Sequence, residues 1–103
     1  MVHELEERMA DVATLCRRYE VAELHLFGSA TSAASIAEVG DLDFLVRFND
    51  APPAKYAWNY FGLAESLSAM FDCRIDLVER DPIRNPYFRT SVDEKKERLY
   101  GVS

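Results

Sequence analysis

Apolar and polar side chains alternate most regularly over residues 41–48, DLDFLVRF. The apolar positions on one side of this stretch are Leu42, Phe44, Val46 and Phe48. Such a period of two predicts a β-strand over Asp41–Phe48, with one wholly apolar face directed at a core. Because alternate side chains share a face, Asp41 and Asp43 lie together on the opposite face, which they share with Arg47.

The rest of the chain alternates between strand-like and helix-like periods. Two more strands are predicted, at Glu23–Phe27 and Cys73–Glu79. Apolar residues at helical spacing predict four helices, at His3–Tyr19, Thr31–Ala37, Ala54–Phe71 and Pro86–Tyr100. Asn85 before Pro86 is a good start for the last helix, and Gly101 is its expected stop. Strands interleaved with helices indicate an α/β (α+β) protein.

The composition is that of an ordinary globular chain with an acidic excess. The 103 residues carry a net charge of −6, and we expect residues 1–103 to form one domain. This charge argues against direct nucleic-acid binding, whose electrostatic footprint is basic. It does not argue against a nucleotide, because Mg²⁺ brings its own positive charge. With no apolar signal core and no run long enough to span a bilayer, we expect a cytoplasmic protein without membrane contact.

Two features of the first half of the chain suggest phosphate and metal chemistry. Asp41 and Asp43 repel each other unless a cation lies between them, and carboxylate oxygens are the ligands that Mg²⁺ prefers. Gly28 and Ser29 stand where the first strand ends and a helix is predicted to begin. The free N–H groups at such a point bind phosphate. Together these residues predict a phosphate cradle beside a divalent-metal site.

A third carboxylate, Asp76, lies on the predicted third strand. It would look out on the same side as Asp41 and Asp43 if the second and third strands are neighbours. The alternative interpretation is that Asp41 and Asp43 are polar residues at a strand end, and that Ser29 only caps a helix.

These residues together form a recognisable signature. Gly28-Ser29, a spacer at 30–40, Asp41-Leu42-Asp43 and the Asp76 strand resemble the DNA polymerase β-type nucleotidyltransferase superfamily. The short length points to its minimal nucleotidyltransferase (MNT) branch, and the tail NPYFRTSVDEKKERLYG resembles the C-terminal helix of MNT proteins. The resemblance implies the nucleotidyltransferase fold, a small mixed β-sheet flanked by about four helices.

The resemblance also implies roles and partners. Asp41 and Asp43 would hold Mg²⁺ against the triphosphate of ATP or another nucleoside triphosphate, and Asp76 would bind a second metal or act as a base. Ser29 and the amides around Gly28 would contact the phosphates. MNT proteins often serve as antitoxins of a HEPN-type RNase toxin, and some of them adenylylate that toxin. The implied function is therefore transfer of a nucleotide, such as AMP, to a hydroxyl of a protein or a small molecule, with a helical toxin as the expected partner.

Three departures from the family pattern leave alternatives open. The spacer is slightly long, Gly40 replaces the usual Ser, and Thr31–Ala34 lacks the usual Arg-Gly. Arg47 and Arg74 are the candidates to replace that arginine. The chain could instead be an MNT-like binding module that neutralises its partner by contact, or a subunit that completes a larger transferase. Whether it also forms a homo-oligomer is left open.

Overall fold

The computed structural model describes residues 1–79 and 96–101. In chain order, the helices of this part are α1 (His3–Glu6), α2 (Met9–Arg18), α3 (Ile36–Val39) and α4 (Pro53–Phe71). The strands are β1 (Val21–Phe27), β2 (Asp41–Phe48), β3 (Arg74–Glu79) and β4 (Lys96–Gly101). A single 3₁₀ turn, Gly28–Thr31, follows β1 directly. Within the described ranges, no helix combines the length and apolarity that crossing a bilayer needs.

The four strands form one mixed sheet in the order β3-β2-β1-β4. Strand β1 pairs antiparallel with β2 on one side and with β4 on the other, while β2 and β3 run parallel. A parallel pair needs a crossover connection, and α4 provides it. The mixed sheet and its helices confirm the predicted fold class, and the parallel pair places the Asp76 strand beside the Asp41–Asp43 strand.

One face of the sheet carries the core. Helix α2 lies against β1 and β4, and α4 lies against β3. The sheet side chains buried beneath them include Leu24, Leu26, Leu42, Phe44 and Val46. Fully burying one such side chain contributes about 1.5–3 kcal/mol. The apolar face predicted for β2 is thus the core face, which leaves Asp41 and Asp43 on the other side.

The predicted helix His3–Tyr19 is wrong in one respect, because it is broken into α1 and α2. The break falls at Arg8, whose φ of −117° and ψ of 19° are not helical. The first turn is held elsewhere: the Val2 and His3 amides donate to the carbonyls of Ala30 and Ala34, at 3.2 and 2.9 Å. These long-range bonds set the direction of α1, and local periodicity does not reveal them.

The helix predicted at Thr31–Ala37 is also wrong. The chain forms only the 3₁₀ turn Gly28–Thr31 and then the one-turn α3. The same long-range bonds explain the difference, since the Ala30 carbonyl accepts from Val2. The Ala34 amide, which a helix would direct to Ala30, donates to the Glu38 carboxylate at 3.1 Å instead.

The helix predicted at Pro86–Tyr100 is wrong over its last turn. Residues 96–100 belong to β4, and Gly101 is the last residue of that strand instead of a helix stop. Pairing with β4 satisfies the backbone groups along one edge of β1. The predicted residues 86–95 lie outside the described ranges.

Gly62 of α4 lies tightly against the side chain of Tyr19, the residue that follows α2. A Cβ at Gly62 would lie 2.3 Å from Cε1 of the buried Tyr19 ring. We expect Gly62→Ala to lower the free energy of unfolding by about 1–3 kcal/mol, although alanine favours helix by about 1 kcal/mol. Urea titration measures this, and the loss should shrink when Tyr19→Leu removes the ring. A variant as stable as the original chain would contradict the tight contact.

Candidate active site

The carboxylates predicted to form the site lie on one face of the β2–β3 pair. Asp43 is directly across from Asp76, and Asp41 is directly across from Arg74. Paired residues on neighbouring strands share a face, so Asp76 looks out on the same side as Asp41 and Asp43. Asp76 is exposed, while the two aspartates of β2 are partly buried. The structure therefore brings together the three carboxylates that the sequence singled out.

The electrostatics of this face favour a cation. Burial raises the pKa of Asp43, and the negative charges of Asp41 and Asp76 raise it further, while Arg74 opposes the shift. The three carboxylates offer hard oxygen ligands to a divalent ion, and their combined negative charge already disfavours the ionisation of Asp43. Among residues 1–79 and 96–101, no group of three or more His, Cys, Asp or Glu side chains is placed so that it could hold a metal ion. The donor chemistry nevertheless fits Mg²⁺, because a bound cation would relieve the repulsion that marks Asp43.

The loop after β1 lies immediately beside Asp43. Gly28 has a φ of +79°, and a Cβ placed on it would lie 3.5 Å from Oδ2 of Asp43. Glycine suits this left-handed backbone, in which other residues are strained. The Thr31 hydroxyl donates to the Gly28 carbonyl at 2.6 Å and fixes the turn, while Ser29 is exposed beside it. Gly28 therefore lies next to the Asp43 carboxylate, and the role of Gly28 and Ser29 in binding phosphate stays a prediction.

The sequence predicts that the start of a helix at Ser29 attracts phosphate, but the structure has no such helix. Gly28–Thr31 is a single 3₁₀ turn, so no long helix adds its dipole at Ser29. The loop amides and the Ser29 hydroxyl remain as donors. Any further positive charge for the phosphates must come from another element.

Glu4 braces this loop from the N-terminal segment, a role that sequence reasoning missed. Its two carboxylate oxygens accept from the Ile36 amide, the first N–H of α3, at 3.0 and 3.3 Å. Burial raises the pKa of Glu4, but the backbone amides of Glu4 and Ile36 and the nearby His3 outweigh burial and leave it lowered. A contact between residues 4 and 36 has no local sequence signal.

The two arginines considered as phosphate ligands differ in position. Arg47 lies two residues beyond Leu45 on β2, on the side away from Gly28. It forms an ion pair with Glu23 at 3.4 Å. Arg74 is exposed across from Asp41, close enough to lower the pKa of Asp43. Arg74 therefore lies beside the carboxylates, whereas Arg47 lies further along the same face and is paired with Glu23.

Two tyrosines of α4 hold the strand that carries Asp76. The Tyr60 hydroxyl donates to the Leu77 carbonyl, and the Tyr56 hydroxyl donates to the Glu79 carboxylate. Burial raises the pKa of Tyr60, and the charges of Asp76 and Glu79 raise it further. These contacts fix β3 next to β2 and so keep Asp76 level with Asp43.

A mixed sheet with three carboxylates on one face beside a glycine-serine turn is the arrangement expected from the resemblance to nucleotidyltransferases. A family profile described as a nucleotidyltransferase domain matches residues 12–99. This chain belongs to that nucleotidyltransferase domain family, which confirms the resemblance seen in its sequence. The implied function class, nucleotidyl transfer, is confirmed at the level of the family.

Individual relatives agree with this assignment. The chain is 32% identical over 80 residues, 78% of each protein, to MJ0128 of Methanocaldococcus jannaschii, an inferred protein adenylyltransferase. Its fold matches the structure of an inferred minimal nucleotidyltransferase with a TM-score of 0.67 and 24% identity, covering 89% of this chain and 91% of that one. It also matches a structure of a Shewanella oneidensis tri-AMPylated HEPN toxin in complex with its MNT antitoxin. That match has a TM-score of 0.63 and 20% identity over 94% and 72% of the two chains.

Proposed function

We propose that this protein transfers AMP from ATP to a hydroxyl on a helical protein partner, and that the partner is a HEPN-type toxin. The observation that carries the proposal is the row of Asp43 and Asp76 with Asp41 beside it, next to the Gly28 turn. Its substrate and partner are taken from the relatives, one of which is an inferred protein adenylyltransferase and another an MNT antitoxin bound to an AMPylated toxin. A cytoplasmic location, where ATP is plentiful, is part of the same proposal.

Each site residue has a defined task in this reaction. Asp41 and Asp43 would hold Mg²⁺, with Asp76 as a further ligand, and the ion would neutralise charge on the triphosphate when bound. The amides around Gly28 and the Ser29 hydroxyl bind phosphate oxygens and orient the α-phosphorus. Asp76, the most exposed of the three, can accept the proton of the acceptor hydroxyl. The acceptor oxygen then bonds to the α-phosphorus, and the bond to the departing pyrophosphate breaks.

A second function is favoured by the outer surface of α4. Trp58 and Phe61 are 53% and 67% exposed there, and such large apolar side chains are typical of protein interfaces. Together with the missing Arg-Gly after Ser29, this surface supports a binding module that neutralises its partner by contact. In that case affinity for the toxin would not depend on nucleotide or on the three aspartates.

Transfer of labelled AMP distinguishes the two functions. The full chain is incubated with a co-expressed HEPN-type partner, ATP labelled on the α-phosphate, and either Mg²⁺ or EDTA. We expect label on the partner, with an added AMP located by mass spectrometry, only when Mg²⁺ is present. ATP labelled on the γ-phosphate is the matched control and should leave no label. Tight complex formation without any transfer would reject the enzyme and support the binding module.

A further inference from the structure

Strand β4 places a lysine in the same row as the acidic site. Lys96, the first residue of β4, pairs with Phe27 of β1, and Phe27 pairs with Asp43 of β2. Asp43 in turn pairs with Asp76 of β3. Residues paired across neighbouring strands lie on the same face, so one row of the sheet runs from Lys96 to Asp76. The row therefore has carboxylates at one end and the positively charged Lys96 at the other.

The same lysine lies beside the Gly28 turn. Phe27, its pairing partner, is the residue immediately before Gly28, and β4 also lies against the turn Gly28–Thr31. Neighbouring strands are about 4.8 Å apart, so the Cα atoms of Lys96 and Asp43 are separated by about 10 Å. The turn therefore lies between Lys96 on one flank and Asp43 on the other.

Lys96 is also available to a ligand. It is only partly buried, and its four-carbon stem carries three donors that can rotate. Among the described residues, the ion pairs of basic side chains involve His3, Arg8, Arg47 and Lys55, and none of them includes Lys96. Its charge therefore remains to attract an anion at this end of the sheet.

We infer that Lys96 binds the β- or γ-phosphate of the nucleoside triphosphate, and so supplies the positive charge that Thr31–Ala34 lack. The inference rests on the proposed function. The reacting α-phosphorus must lie near Asp41, Asp43 and Asp76, so the rest of the triphosphate extends past the Gly28 turn toward β4. A lysine is a common phosphate ligand, acting as a point charge. Lys96 therefore distinguishes triphosphates from monophosphates.

Binding measurements on the full chain test this assignment. Calorimetric titration in Mg²⁺ compares a non-hydrolysable ATP analogue with AMP for Lys96→Met, Lys96→Arg and the control Lys55→Met. Lys55 lies over the Trp58 ring on α4, so its loss changes the net charge equally without touching the site. We expect Lys96→Met to weaken binding of the ATP analogue about ten-fold and that of AMP less than about two-fold. Lys96→Arg should restore most of the affinity, and Lys55→Met should change neither ligand.

The outcomes separate this inference from the function on which it rests. If the original chain binds the analogue and a folded Lys96→Met variant binds it equally well, the inference fails and the proposed function stands. An equal loss for AMP, or the same loss in Lys55→Met, would also overturn it, because the effect would not be specific to the outer phosphates. If the original chain binds no nucleoside triphosphate, both fail together. Thermal melts of each variant establish that it is folded.

Discussion

Asp43→Asn is expected to lower nucleotide transfer at least about a hundred-fold and yet to raise the melting temperature of the metal-free protein. Activity falls because Asp43 is the central carboxylate of the row and lies between Asp41, Asp76 and the Gly28 turn. Stability rises because the same position makes its ionisation unfavourable in the folded chain. Asparagine keeps the shape of the side chain but carries no charge.

The sign of the stability effect follows from the direction of the pKa shift. A carboxyl group whose pKa is raised by folding binds its proton more tightly in the native state. Its contribution to stability is therefore greatest below the unfolded pKa and is lost as the pH rises through the raised value. At neutral pH the ionised Asp43 destabilises the metal-free chain, so its neutral replacement should raise the melting temperature.

Thermal melts in EDTA and transfer assays in Mg²⁺ measure both halves of this prediction. Asp50→Asn is the matched control, because Asp50 is an exposed carboxylate just beyond the same strand. It should leave activity and melting temperature nearly unchanged. The stabilisation of Asp43→Asn should also shrink in acid, where Asp43 is already protonated. A variant that melts below the original chain in EDTA, or that remains active, would contradict a functional role for the crowded carboxylate.

The repulsion between the two aspartates of β2 can be predicted from the sequence because it depends on short spacing. Two aspartates at positions i and i+2 of an alternating strand must share a face, whatever the rest of the fold does. Asp76 could be placed on that face only on the condition that the second and third strands are neighbours, and the structure shows that they pair in parallel. The Gly28 turn could be placed because it follows a strand that pairs with β2. These features are set by the period of the strands and by one crossover helix.

The parts that could not be predicted depend on contacts between distant residues. The bond from the Ile36 amide to Glu4, and those from Val2 and His3 to the loop after β1, replace a helix that local spacing favours. Residues 96–101 contain Lys, Glu, Arg and Leu, which favour helix, but pairing with the open edge of β1 makes them a strand. Lys96 was therefore assigned to a helix, and its place beside the Gly28 turn could not be foreseen.

The second large effect expected is stabilisation of the folded chain by Mg²⁺. An ion that binds only the native state at a hundred times its Kd adds about 2.7 kcal/mol, or more than about 10 °C in a domain of this size. Protons compete with Mg²⁺ for Asp43. Because the pKa of Asp43 is raised, protons displace Mg²⁺ at a higher pH than they would at an ordinary aspartate, whose pKa is about 4. The stabilisation should therefore fade on acidification before ordinary aspartates are protonated.

Melting curves over a pH series, with Mg²⁺ or with K⁺ at equal ionic strength, test this linkage. The increase should be specific to the divalent ion, absent from Asp43→Asn and intact in the control Asp50→Asn. An equal increase in melting temperature with K⁺ would mean that the effect is general charge screening. An increase with Mg²⁺ that persists in Asp43→Asn would mean that the ion binds elsewhere. The two variants bear on one physical question. If the crowding of Asp41, Asp43 and Asp76 is what a cation relieves, then removing one charge and adding Mg²⁺ must stabilise the same fold by the same route, and the two effects cannot add.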